Sequence, residues 1–556
     1  MRLAWRSIVA VVVVWGGAGA APVLAQLRED QVLVVYDRRI SDSVAVAEHY
    51  AGSLKVTGGT GSVRGARPGV RTLDLAERSP GLVRDTADVT PADFAAYLRG
   101  PIRAHLREHK IEHAVRCICL TKGLPHRIVD FDRGVIGDNP PAAQAEFLAG
   151  DYGSACVDAE LALLWLDVEQ GEGGLPGDSF ADGLIANPFF LSTLGINAYS
   201  TRNLLMPKVL LAAEAPAGTV WRSVAGPASF RISPGDMYLV CRLDGNSVEA
   251  VRAMIDRSRS PRVNVDEAAC LLDESNSNGS ADAIENGELD NESIAGLRPA
   301  GDQGDDYEAT ANLLVKDGRF LAFPQTPAPG AGRGHVLYSR LTGMDEFFVG
   351  PRLSFGGRGR IVDLPVLLLA SEGNNHGIIA AGFPVVPPGA GALYPRSFRY
   401  SPGAVMTSIE SANGRNFHGL GGNFGQASIS DFLEAGGCFA IGHVWEPFAF
   451  SLPRNVMLAR NFVLGSMTWA EAAYTALPTL SFQSIVVGDP LARLTRSSED
   501  LDGDGAATIC DLVLWHGRPA DLNRSGEADR DDARLIERDV RAGEVAGMAG
   551  RARRGR

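Results

Sequence analysis

The sequence predicts an α/β protein: a mostly parallel sheet flanked by helices, with a small all-α module appended near the C-terminus. Short, continuous apolar runs carry the first part of that expectation. Strands covered on both faces of a parallel sheet present no polar side, so they read as unbroken runs instead of alternations. Stretches with helical spacing separate these runs, and strands alternating with helices build parallel sheets. The third observation is a change of composition after Thr495, where the apolar rhythm gives way to short acidic loops followed by brief apolar segments.

Taken in order, Arg2 and Arg6 precede the apolar run Ile8–Trp15, and Val23-Leu24-Ala25 fits a small-x-small cleavage pattern before Gln26. Residues 1–25 therefore read as a secretory signal peptide, with a retained membrane anchor as the alternative. The expected location is extracellular, at the cell surface or in the periplasm. Gln31–Asp37 is the first buried strand, and Ser41–Leu54 has helical spacing. Thr90–His109 begins with an N-cap threonine and a proline in the first turn. Phe94, Leu98, Ile102 and Leu106 form its apolar stripe. Ala114–Ile128 reads as a strand again, followed by Asp236–Gly245 and then a helix beginning at Ser247. Asp363–Gly377, Gly403–Ser411, Gly436–Pro447 and Leu480–Pro490 are further strand candidates, with a helix at Met467–Leu477 before the last. The stretch Leu271–Gly296 is acidic and aperiodic and is expected to be irregular. The resulting division is an α/β region over 26–215, a second over 216–494, the acidic module over 495–541 and a basic tail over 542–556.

Bulk properties narrow the function. The chain has 556 residues, 45% hydrophobic and 21% charged, which fits a globular protein of two or more domains. A formal net charge of -13 repels phosphate backbones, so nucleic acid is not an expected partner. No segment after the leader offers about 18 uninterrupted apolar residues, so no membrane span is expected in the mature chain. The seven cysteines are odd in number and irregular in spacing. They read as small buried hydrophobes instead of a disulfide framework or a zinc ribbon.

The acidic module has the spacing of calcium loops. Calcium takes hard oxygen ligands from positions 1, 3, 5, 7, 9 and 12 of a 12-residue loop, with glycine at position 6. Asp500, Asp502, Asp504, Ala506, Thr508 and Asp511 occupy those ligand positions around Gly505. Asp521, Asn523, Ser525, Glu527, Asp529 and Asp532 repeat the pattern around Gly526. The expected cofactor is Ca2+. A third loop, Glu274–Glu285, matches in part through Glu274, Asn276, Asn278, Gly279, Asp282 and Glu285. The closing aspartates and the apolar residues directly after each loop make the pair resemble a dockerin type I repeat. That resemblance implies a cohesin-like protein partner and an association with polysaccharide-degrading assemblies.

The body resembles an uncharacterised family of large secreted bacterial proteins. The resemblance is carried by VLVVYD, KGLPHRI (Lys122–Ile128), Val157–Leu161, YLVCRLDG, SPGAVMTSIES, the EP of GHVWEP, and VVGDPL. The order of strands ending in VVGDPL is also similar to gingipain-type, caspase-like cysteine peptidases. In those a histidine follows one strand and a cysteine ends the next. Here the matching places hold His376 and the pair Glu410 and Ser411, with no cysteine; Cys438 falls in a later strand. The resemblance thus implies either a hydrolase with His376 and Ser411 in its site or a caspase-like scaffold without peptidase chemistry; whether His376, Ser411 and Glu446 converge in one cleft separates the two. A calcium-stabilised structural surface protein is the third alternative. His105, Glu108 and His109 match the order H-x-x-E-H of a zinc-peptidase class, but they flank the helix's apolar stripe and read as a solvated edge. Asp158 and Glu160, two residues apart in a helix-like run, do not share a face, so a glycosidase pair drawn from them would need a distant partner.

Overall fold

Eleven of the apolar runs and their neighbours line up in one sheet, seen here in a computed structural model. It describes residues 26–54, 64–128, 156–166, 184–206, 210–214, 220–224, 232–273, 306–316, 320–322, 335–339, 348–353, 359–372, 390–409, 412–417, 427–445, 447, 451–496, 499–501, 507, 509–522, 527–537 and 540. The strands are β1 (Val32–Tyr36), β2 (Arg71–Asp74), β3 (Cys117–Thr121), β4 (Leu239–Leu243), β5 (Ala269–Asp273), β6 (Leu321–Ala322), β7 (His335–Ser339), β8 (Val366–Glu372), β9 (Tyr400–Ile409), β10 (Phe439–His443) and β11 (Ser484–Val487). The helices used below are α1 (Ser41–Ala51), α2 (Gly100–His109), α3 (Val157–Ala162), α4 (Val248–Ser258), α5 (Asp306–Lys316), α6 (Trp469–Ala476) and α7 (Ile509–Gly517).

Across the sheet the order is β6-β7-β5-β8-β9-β10-β11-β4-β3-β1-β2. The six strands up to β10 are parallel to one another, as are the four from β4 to β2. Between them β11 is antiparallel to β10 over four pairs and meets β4 at the single pair Val487–Arg242, where Gly488 N donates to Arg242 O. The C-terminal ends of both groups open on the same edge. Lys122, past the end of β3, donates from Nζ to Phe417 O, past the end of β9, at 3.1 Å. One sheet and one hydrophobic core therefore run from Leu27 to Leu494.

The physical reason is burial. All five residues of β1, β3, β4, β5 and β10 are buried, as expected for strands covered on both faces. Trp469 at the start of α6 is wholly buried between the rings of Phe439 and Phe462, with centroids 5.0 and 5.4 Å away, and its indole N–H donates to Val487 O at 3.0 Å. Cys117, Cys119, Cys156, Cys241, Cys270 and Cys438 are buried thiols without disulfides, and Cys510 is exposed. No helix among the described residues is long and apolar enough to cross a membrane.

Two expectations change. The stretch expected to be irregular from Leu271 instead begins with β5, a central strand through Asp273; residues 274–296, with the third candidate loop, lie outside the described residues. Its acidic continuation hid a strand whose own apolar core is only Ala269–Leu272. The single helix expected over Thr90–His109 is divided. A wide turn with π-type hydrogen bonding at Ala95–Arg99 separates Pro91–Phe94 from α2. Pro101 has no N–H and its ring opposes a carbonyl of the preceding turn, so the ladder widens there. The predicted cap holds: Thr90 Oγ1 accepts from Asp93 N at 3.1 Å. The stripe Phe94, Leu98, Ile102 and Leu106 is fully buried.

Candidate functional site

The acidic module leaves the body along a short strand pair. Arg262–Val263 pairs in parallel with Thr495–Arg496. Arg496 is buried and paired with Glu499 at 2.9 and 3.1 Å, and donates to Val463 O and Gly465 O. This lock delivers the chain to Asp500, the first residue of the first loop. Its carboxylate is fully buried and lies 2.7 Å from Arg262 Nε, while Arg262 Nη2 donates to Asp500 O at 3.4 Å.

The two loops close in the same way. In the first, Leu501 N donates to Asp511 Oδ1 at 2.6 Å; in the second, Leu522 N donates to Asp532 Oδ1 at 2.7 Å. In each case the twelfth residue accepts from the second. Asp511 and Asp532 are completely buried. Asp532 also accepts from Asp529 N at 2.8 Å. Each closure is followed directly by helix: Asp511 lies in α7 and Asp532 in the helix over 530–537. The helices share a small core of Trp515, Leu522, Ala533, Ile536 and Val540, and Trp515 Nε1 donates to Ala520 O at 2.8 Å. A segment with so few apolar residues has little core of its own.

Oxygen ligands alone make up the donor set of both loops, which suits calcium and not a soft metal. Among the described residues no group of three or more His, Cys, Asp or Glu converges on a metal position. Of the expected ligands, Asp500, Asp511, Asp521, Glu527, Asp529 and Asp532 are described. Asp502, Asp504, Ala506, Thr508, Asn523 and Ser525 lie outside the described residues, as do His376, Glu410, Ser411 and Glu446. The strands that lead to His376 and Ser411, β8 and β9, are adjacent and parallel, in register from Leu368–Val405 to Glu372–Ile409.

The carboxyl edge of the sheet holds a second polar cluster. Arg242, a charged residue inside the apolar run of β4, is fully buried. It grips Asp158 of α3 through Nη2 at 2.6 Å and Nε at 3.2 Å, and donates to Leu124 O and Pro125 O. The Asp158 carboxylate beside it holds the guanidinium in its charged form. Lys122 donates to Gly245 O at 2.7 Å and lies 3.5 Å from Asp244. His126 Nε2 donates to Arg415 O at 2.7 Å. The guanidiniums of Arg415 and Arg127 sit 4.6 and 5.4 Å from the Trp445 ring centroid, and Arg127 pairs with Asp88. Burial, then the charge of Arg127, lowers the Arg415 pKa. These contacts tie the loops after β3, β4 and β9 to one another. They match the named cations with oxygens and aromatic faces, and so build a lock across the edge.

His443 ends β10 with its ring completely buried. Nδ1 lies 3.3 Å from Ser484 Oγ, and among the described residues Nε2 has no hydrogen-bond partner. Burial pushes its pKa down to about 3. Burial also raises the Cys156 thiol well above its ordinary range, so it is no ready nucleophile. Asp158 and Glu160 part as expected: one meets Arg242, the other Ser481. His105 is half-buried with its pKa lowered to about 4 by burial and by His109, and Glu108 pairs with Arg78.

Sequence reasoning did not single out Arg262, Arg242 or His443. A charge within a continuous apolar run was the available signal for Arg242, since a buried arginine needs a partner. Arg262 carried no such mark, because its partner lies 238 residues away. No protein-family model matches the chain, and neither a curated protein nor a solved structure matches it.

Proposed function

We propose that this chain is a secreted calcium-binding protein whose module at 495–541, dockerin-like in its loops, tethers the α/β body to a partner or surface assembly. One observation carries the proposal: the two loops, spaced alike in sequence, close on the same register, position 12 onto position 2, at 2.6 and 2.7 Å. Unrelated acidic turns have no reason to share that geometry. Asp500, Asp502, Asp504, Ala506, Thr508 and Asp511 would hold one ion, and Asp521, Asn523, Ser525, Glu527, Asp529 and Asp532 the other. A bound ion supplies a cross-link between the start and end of each loop. At about 100 times its dissociation constant it adds roughly 2.7 kcal/mol per site to a module with little core of its own. The partner class is a cohesin-like protein. Secretion rests on the leader pattern of residues 1–25, and a chain beginning at Gln26 keeps its anchoring to the body. Gln26 Nε2 donates to Ser466 O, and Leu27 N to Glu471 Oε1.

A caspase-like hydrolase is the second reading, favoured by the adjacency of β8 and β9, whose ends lead toward His376 and Ser411. It requires His376 as base and Ser411 as nucleophile, with no cysteine in that place.

A calorimetric calcium titration tests the first reading. The chain from Gln26 is compared with one ending at Glu499, which keeps the Arg496–Glu499 lock. Two ions in the former and none in the latter are expected. Uptake by the shortened chain places calcium in the body, and no uptake by either removes the proposal. Turnover of peptide or glycan substrates abolished by His376→Ala would favour the hydrolase.

A further inference from the structure

We infer that Arg262 of the body competes with calcium for the Asp500 carboxylate, so that docking of the tail on the body sets the affinity of the first loop. The inference rests on the calcium reading of Asp500–Asp511 and concerns a residue outside both loops.

The geometry begins with the strand pair. Arg262 lies opposite Thr495, and Val263 opposite Arg496. Arg496 is then held by Glu499 and by the carbonyls of Val463 and Gly465, so Glu499, the residue before Asp500, is paired to a buried cation of the body. Arg262 straddles Asp500 from outside, with Nε 2.7 Å from Oδ2 and Nη2 3.4 Å from the main-chain oxygen. The carboxylate has no exposed surface, whereas the arginine side chain keeps 37% of its own. A buried carboxylate needs a countercharge or donors, and here the body supplies a cation. Asp500 is also position 1 of the loop, the ligand from which coordination starts.

Calcium bonds carboxylate oxygens at about 2.3–2.6 Å. An ion on Asp500 would therefore stand within roughly 5 Å of the guanidinium. Like charges at such a separation repel, weakly in water and several times more strongly near a protein surface. Two ends of one carboxylate do not accommodate both cations at full strength. Arg262 must give way or calcium must bind more weakly. The second loop starts at Asp521, which is partly exposed. The expected consequence is two unequal sites, the first weaker by about tenfold, taking the lower part of that repulsion because the arginine is partly solvated.

The test is calorimetric calcium titration of the full chain from Gln26, with calcium chloride alone as the probe. Asp500→Asn identifies which step belongs to the first loop. In Arg262→Gln that step tightens by about tenfold, and the second-loop step stays within threefold of the parent. Arg262→Lys, which keeps the charge, stays close to the parent and guards against a mere packing effect. A first-loop constant in Arg262→Gln that tightens less than threefold, stays put or weakens overturns the inference while leaving two calcium sites in place. Absence of any uptake by the parent chain overturns the calcium reading, and this inference with it.

Discussion

Acid should destabilise this protein partly through one imidazole. His443 is completely buried at the end of β10, and burial takes its pKa from the ordinary 6.5 down to about 3. The unfolded chain accepts a proton there at a higher pH than the folded chain does. The group therefore costs nothing above its unfolded pKa, and stability falls as pH drops below about 6.5 until the folded value is reached. One pKa unit corresponds to about 1.4 kcal/mol, so the loss reaches roughly 2 kcal/mol near pH 5 and saturates at about 5 kcal/mol near pH 3. His443→Leu removes the titrating group and the unpartnered Nε2 together, at a cost near neutral pH of about 1 kcal/mol for the lost Ser484 contact. Urea unfolding of both chains at about pH 7.5 and about pH 5 isolates the effect, because other titrating groups are common to both. The parent should lose about 2 kcal/mol more than the variant between the two conditions. An equal loss in the two chains would show that His443 is protonated without penalty in the folded state, and would refute the reasoning.

Two further outcomes follow from the same packing. Asp158→Ala takes from the fully buried Arg242 its closer carboxylate, leaving Asp244 at 3.5 Å, and should cost about 3 kcal/mol in urea unfolding, whereas replacing Asp158 and Arg242 with apolar residues of similar size should recover most of it. Gly403→Ala places a methyl 2.2 Å from Leu494 Cδ2 at a φ of +79°, and should lower the melting temperature by an amount corresponding to about 2 kcal/mol or more.

Much of the body was legible because a parallel sheet writes its strands as unbroken apolar runs. VLVVY, CICLT and LVCRL read as strands from their residues alone, and all are buried strands. The short edge strands were not legible: Leu321–Ala322 has two residues, too few to set a period. Nor was the division of the Thr90–His109 helix, although Pro101 was present to announce it. In the module, the loop spacing was visible as residues, but the shared closure of Asp511 and Asp532 is a statement about backbone donors, which spacing does not contain.

By itself the sequence determined the fold class, the buried face of α2 and the register of two oxygen-rich loops, because periodicity and spacing are local and follow from backbone geometry. The tertiary structure alone decided that strands before and after residue 215 share one sheet, that Arg242 finds Asp158 and that Arg262 finds Asp500. Those contacts join residues 84 and 238 positions apart. Which distant charges meet depends on the order in which strands stack, and that order is set by the burial of the whole sheet, not by any segment of it.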